Sequence, residues 1–249
     1  MVLRLIFILC LFGAASHATA KEPAVFTSAI LHTALHQSGI AKQPLITIEG
    51  TSVRMVTFAT DAEYTPAGNH LSETLWTTVE PELKTLCQQY VAKHPGITSA
   101  ALSLWLAKVL GLPTEDATKR RFIVMDVPVI QAYYGSPGST IGIFRPCTDP
   151  RIGKHADGSA ICPEKMDAND SKISTDYKTW FINNSLESYQ LEKGLPWTGY
   201  GYTYNWDTEA RTVHGVSEFV VLKNTPIMPL KNPQDPSTIY ISAKQYCKP

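Results

Sequence analysis

The sequence has no long run of like charge, no second long apolar stretch and none of the short signatures that mark common active sites. Charged residues make up 18% of the chain, below the about 25% of an average globular protein. The 22 basic and 22 acidic side chains are dispersed. That excludes the polybasic stripe that nucleic acid or an anionic membrane surface attracts. No apolar run of about 18 residues follows residue 20, so no transmembrane segment is expected in the mature chain. There is no C-x-x-C spacing for a zinc site. His32 and His36 share a helical face, but Thr33-Ala34-Leu35 separates them and the glutamate of an H-E-x-x-H motif is missing. Asp167-Ala-Asn-Asp-Ser171 opens like a calcium loop, then places Lys172 where glycine is needed and Lys178 where the bidentate glutamate belongs. Gly135-Ser-Pro-Gly-Ser139 does not match the serine-hydrolase elbow. Internal repeats and low-complexity segments are absent. No metal and no cofactor is implied.

What is present begins at the N-terminus. Arg4 supplies a positive charge, Leu5 to Ala15 form an apolar core, and Ala18-Thr19-Ala20 reads as a cleavage site. This is the layout of a secretory signal peptide over residues 1–20. Cys10 lies within the apolar core rather than at its end, which argues against lipidation. Cleavage after Ala20 leaves 229 of the 249 residues and, with Arg4 gone, a formal charge of −1. A chain of that length buries roughly 70% of its unfolded surface. Residues 21–249 are expected to form one domain, periplasmic or secreted.

Export decides how the cysteines are read. Cys87, Cys147, Cys162 and Cys247 remain after cleavage. An even count in an oxidising compartment suggests two disulfides, and four cysteines allow three pairings. Cys147–Cys162 is favoured because it closes a segment rich in Pro, Gly and Asp with little to bury. Cys87–Cys247 then ties the C-terminal tail to a helix.

Hydrophobic spacing predicts helices over Ser28 to Gly39, with Ser28 as a cap, over Leu71 to His94 with a kink or restart at Pro81, over Thr98 to Leu110, and over Asp176 to Tyr189. The second and third are expected to pack as a hairpin. Strands are expected at Leu45 to Glu49 and Ser52 to Ala59, joined by a turn at Gly50-Thr51, and at Arg121 to Val127, Tyr200 to Trp206, Gly215 to Leu222 and Ser237 to Ala243. Helices early and strands late indicate an α+β fold, with N-terminal helices packed on a mainly antiparallel sheet.

Three clusters carry possible chemistry. Tyr200, Tyr202, Tyr204 and Trp206 share one face of a strand. Such a face either stacks a flat ligand or is buried against helices. Glu218 lies among Val216, Phe219 and Val220, where a carboxylate must be paired, shifted upward in pKa or turned to solvent. His155 lies in the clipped loop between Asp149 and Asp157, and His214 precedes the Glu218 strand. Either histidine is a candidate acid–base partner for Glu218.

The run Pro196-Trp-Thr-Gly-Tyr-Gly-Tyr-Thr-Tyr-Asn-Trp206, with Val216-Ser-Glu-Phe-Val220, Phe144-Arg-Pro-Cys147 and Tyr246-Cys247, resembles a family of small exported bacterial proteins of unknown function. The resemblance covers the C-terminal half and implies an exported bacterial origin, not an activity. The expected function is a binding or interaction protein of the envelope or a host surface, its partner an unknown ligand or protein beyond the inner membrane. The alternative is a small secreted hydrolase using Glu218 with His155 or His214.

Overall fold

The structure is a computed structural model that describes residues 21–35, 44–60, 68–129, 141–148, 153–154, 160–162, 167, 169–171 and 173–248. The order of elements is α1 (Lys21–Ala34), β1 (Ser52–Ala59), β2 (Leu75–Val79), α2 (Glu80–Lys93), α3 (Ser99–Val109), β3 (Arg121–Pro128), β4 (Ile143–Phe144), β5 (Gly153–Lys154) and β6 (Ala160–Ile161). There follow α4 (Thr175–Ser188), β7 (Tyr202–Tyr204), β8 (His214–Ser217), β9 (Phe219–Val221), β10 (Met228–Pro229) and α5 (Ala243–Tyr246). The fold is α+β, as expected, although helices and strands alternate along the chain rather than falling into two blocks.

Six strands form a curled antiparallel sheet in the order β10-β3-β1-β2-β9-β4. Its centre is the pairing of β1 with β3, where Met55 faces Met125, Val56 faces Val124 and Phe58 faces Phe122. Period-two alternation sends these pairs to opposite faces. Val56, Phe58, Phe122 and Val124 pack beneath Leu83 and Cys87 of α2, Leu102, Trp105 and Leu106 of α3, and Tyr246 of α5. Met55, Ile123, Met125 and Val127 meet Leu71, Ile143 and Ile227 on the other side. Phe122 stacks on both Phe58 and Tyr246, at ring separations of 4.5 and 3.9 Å. The turn after α2 returns the chain to α3, and Tyr90 stacks on Trp105 at 3.7 Å.

Both expected disulfides are present, with Cα–Cα separations of 5.2 Å for Cys87–Cys247 and 5.4 Å for Cys147–Cys162. Among the described residues no helix is long and apolar enough to cross a membrane. Two disulfides and the lack of such a helix fit an exported protein. Residues 1–20, Cys10, His36, the 135–139 segment and His155 lie outside the described residues.

Several elements differ from expectation. The helix foreseen over Leu71 to His94 is a strand followed at once by a helix. Leu75-Trp-Thr-Thr-Val79 is aromatic and β-branched, which suits a pleated surface, and Pro81 sits where a helix tolerates a missing N–H. Ser28 does not cap α1; its Oγ donates to the Ala24 carbonyl inside the helix. Leu45 to Glu49 forms no hairpin with β1. It is held instead by a single bridge at Leu45 and by side chains, with the Ile46 N–H donating to Ser217 Oγ at 3.2 Å. The Ser237 to Ala243 segment makes only a single bridge, Ile241 to Phe122, before a capping box at Ser242 and Gln245 starts α5. The strand expected over Gly215 to Leu222 breaks at Glu218, so that β8 pairs with β7 while β9 joins the main sheet.

Candidate functional site

The break at Glu218 builds the site. Val56 lies opposite Thr78, and Thr77 opposite Phe219. One step along that register brings Glu218 beside Thr78 on the helix-covered face. There a cavity of about 480 Å³ opens between β1, β2, the end of α4 and the 193–197 segment. Trp76, Thr78, Asn184, Trp197, Tyr204 and Glu218 line it.

Two glycines allow this shape. After α4 the chain doubles back, with the Leu195 N–H donating to Ser188 O at 2.8 Å. A Cβ at Gly194 would lie 2.1 Å from that carbonyl. The tight return is what carries Trp197 to the cavity. Gly201 has φ +72°, and a Cβ there would meet Arg145 Cδ at 2.6 Å. Its carbonyl accepts from the Glu218 N–H at 2.8 Å and from Arg145 Nη1 at 3.0 Å.

Arg145 is buried beneath the site. It also donates to the Ile46 carbonyl, and its guanidinium lies 4.1 Å from the Phe219 ring centre. Burial lowers its pKa to about 10, opposed by the charges of Glu82 and Glu218. Arg145 is two residues from Cys147, so the Cys147–Cys162 clip anchors the strap that carries it. Glu82, on α2, accepts from the Ser217 N–H at 2.9 Å and Oγ at 3.4 Å. Burial raises its pKa against those bonds and the charge of Arg145. Burial also pushes the Glu218 carboxyl up to about 8, opposed by the Trp197 indole N–H and the positive charge of Arg145. The indole points at the carboxylate without reaching full hydrogen-bond geometry.

Four buried polar atoms around this one cavity have no full hydrogen bond among the described residues: Thr78 Oγ1, Asn184 Nδ2, Trp197 Nε1 and Glu218 Oε2. Such an atom costs about 1–3 kcal/mol when nothing satisfies it. Trp197 Nε1 and Glu218 face each other, which leaves Thr78 Oγ1 and Asn184 Nδ2 as groups that a molecule in the cavity can satisfy.

Of the residues singled out in the sequence, Glu218 and Tyr204 line the cavity, while Tyr200, Tyr202, Trp206 and His214 do not. The aromatic strand is not an open platform. A bulge between Tyr202 and Tyr204 splits its side chains. Tyr202 packs with Leu45 and the Cys147–Cys162 pair. Tyr204 and Trp206 are covered by Phe26 and Ala29 of α1, and Tyr204 Oη meets His32 Nδ1 at 2.9 Å. Tyr200 is half-buried between the two groups. His214 packs edge-on against Tyr202 at 5.0 Å and is bonded to Thr212 Oγ1. The structure therefore does not bring it into the cavity with Glu218. Among the described residues no three of His, Cys, Asp or Glu gather in a way that holds a metal.

Sequence reasoning missed Thr78, Asn184 and Trp76, and it placed Trp197 in the aromatic run without naming it as a site residue. Thr78 and Trp76 were hidden by a stripe that suits a helix as well as a strand. Asn184 carried a signal: it is a polar residue on the inward face of α4, four positions before buried Ser188. The chain matches no protein-family model, no curated protein and no solved structure.

Removing one of these stranded groups tests the accounting. Thr78→Val keeps the shape and the β-branching but deletes the hydroxyl. It is expected to stabilise the unliganded protein by about 1 kcal/mol, a rise of about 2–4 °C in Tm for a chain of this size. Differential scanning calorimetry checks it; a fall in Tm means the hydroxyl is already satisfied.

Proposed function

We propose that this chain is an exported binding protein of the bacterial envelope or a host surface, and that it takes a small molecule in the cavity beside Glu218. The observation that carries this is the convergence on one cavity of four buried polar atoms without a full hydrogen bond among the described residues. Binding sites for small molecules are mostly apolar clefts of about 300–1,000 Å³ with a few placed polar groups. This cavity has that size, with apolar walls from Val56, Leu75, Leu83 and Leu110 and polar side chains set among them. The hydrolase alternative, Glu218 acting with His155 or His214, has less support, because the cavity holds the carboxyl without His214.

Trp76 and Trp197 make the cavity self-reporting. A small-molecule library screened by tryptophan fluorescence is expected to yield a saturable, one-to-one ligand. Asn184→Ala and Thr78→Val should each weaken it by about 3–10-fold, the value of one hydrogen bond. A ligand whose affinity neither substitution changes binds elsewhere and removes the cavity as the functional site.

A further inference from the structure

The ligand's chemical class follows from what the cavity offers, granted that the cavity is the binding site. We infer that it takes an uncharged sugar ring, whose apolar face lies against the tryptophan corner and whose hydroxyls pair with Thr78, Asn184 and Glu218.

Charge balance comes first. The lining holds two cations, Arg120 and Lys193, and two acids, Glu187 and Glu218. Arg145 adds positive charge behind Glu218, and Glu82 balances it from α2. With Glu218 protonated at neutral pH, Glu187 is the one carboxylate of the lining, so an organic cation meets no negative field here. A neutral ligand enters without stripping water from a charge of its own.

The polar groups are of mixed kind. Asn184 offers an amide N–H, Thr78 a hydroxyl that both donates and accepts, and Glu218 a carboxyl oxygen. A sugar hydroxyl donates and accepts, so one type of ligand group satisfies all three. A purely accepting ligand would leave an ionised Glu218 unmatched. The raised pKa of Glu218 adds to this, since a carboxylic acid pairs with a neutral hydroxyl without stranding a charge.

The walls fit the same ligand. Trp76 and Trp197 both line the cavity and pack against each other edge to face, 6.2 Å apart at 79°, which makes an aromatic corner in its wall. Leu75, Leu110 and Pro196 complete an apolar side. A sugar ring has the matching asymmetry, with C–H groups on its faces and hydroxyls around its rim.

Calorimetric titration of the mature protein at neutral pH tests this, with maltose, cellobiose and N,N′-diacetylchitobiose as neutral probes, choline as the cation and gluconate as the anion. At least one neutral sugar is expected to bind at millimolar concentration or better, and more tightly than choline or gluconate. Glu218→Ala should weaken it by about tenfold, and Glu218→Gln should recover most of that loss, because an amide donates and accepts as a carboxylic acid does. Preferential binding of choline, abolished by Glu218→Gln, overturns the sugar assignment and leaves the cavity reading standing. Binding of no neutral sugar also overturns it. A sugar that binds equally well to Thr78→Val and Asn184→Ala overturns the cavity reading itself.

Discussion

Replacing Glu218 by Gln should leave stability nearly unchanged at about pH 4 and raise it by about 2–4 kcal/mol at about pH 9. The folded protein holds the Glu218 proton up to about pH 8, because burial disfavours the charged form more than Trp197 and Arg145 favour it. The unfolded chain releases that proton near the ordinary value of 4.5. Between those two values the native state binds more protons, so stability falls as pH rises. The stabilising contribution is complete below the unfolded pKa and is lost as pH climbs through the folded one. Glutamine keeps the size and cannot ionise, so the variant escapes the loss. The magnitude is set below the full linkage value because Glu218 is partly open to solvent through the cavity. Urea unfolding of both proteins across this range gives the difference directly, and other titrating groups cancel in it. A constant difference across pH would falsify the assignment of a buried, high-pKa acid.

The double substitution Cys87→Ala/Cys247→Ala should cost about 4–5 kcal/mol, the larger of the two disulfide losses. Its cysteines are 160 residues apart, whereas Cys147 and Cys162 are 15 apart. In the chain-entropy model the unfolded-state constraint grows with the logarithm of loop length. The longer loop is therefore worth about 2 kcal/mol more than the shorter. The native side points the same way. Cys87 and Cys247 are fully buried in the main core with Leu83 and Tyr246. A four-residue helix such as α5 has little stability alone, and the bond pins it where Tyr246 covers Phe122. Losing Cys147–Cys162 should show mainly in the site, by loosening the strap that carries Arg145. Denaturant midpoints of the two double variants check the order; equal losses, or the reverse order, contradict it.

The elements legible in the sequence are those whose own pattern matches their burial. β1 and β3 alternate and pair with each other along their whole length. α3 and α4 begin where a Thr and a Ser can cap: Thr98 Oγ1 accepts from Ala101 N and Ser174 Oγ from Tyr177 N. The elements misread are those where two periods fit the same residues. Leu75 and Val79 are four apart and suit a helix, yet β2 alternates between sheet faces. The aromatic strand failed for a different reason. Its side chains do share a face at period two, but a bulge and the cover of α1 redistribute them.

Local chemistry by itself determined the α+β class, the central strands and the oddity of a glutamate in an apolar strand, and it favoured one cysteine pairing of three. Each depends on spacing or composition along the chain. Only the tertiary structure decided what that glutamate does. The strand breaks at Glu218 because Gly201 and Arg145 lie against it, and the break turns the carboxyl into a cavity shared with Thr78, Asn184 and Trp197. Those residues come from β2, from α4 and from the loop after it, far apart in the chain. Their meeting is a product of sheet register and one tight return at Gly194, which a linear pattern does not encode.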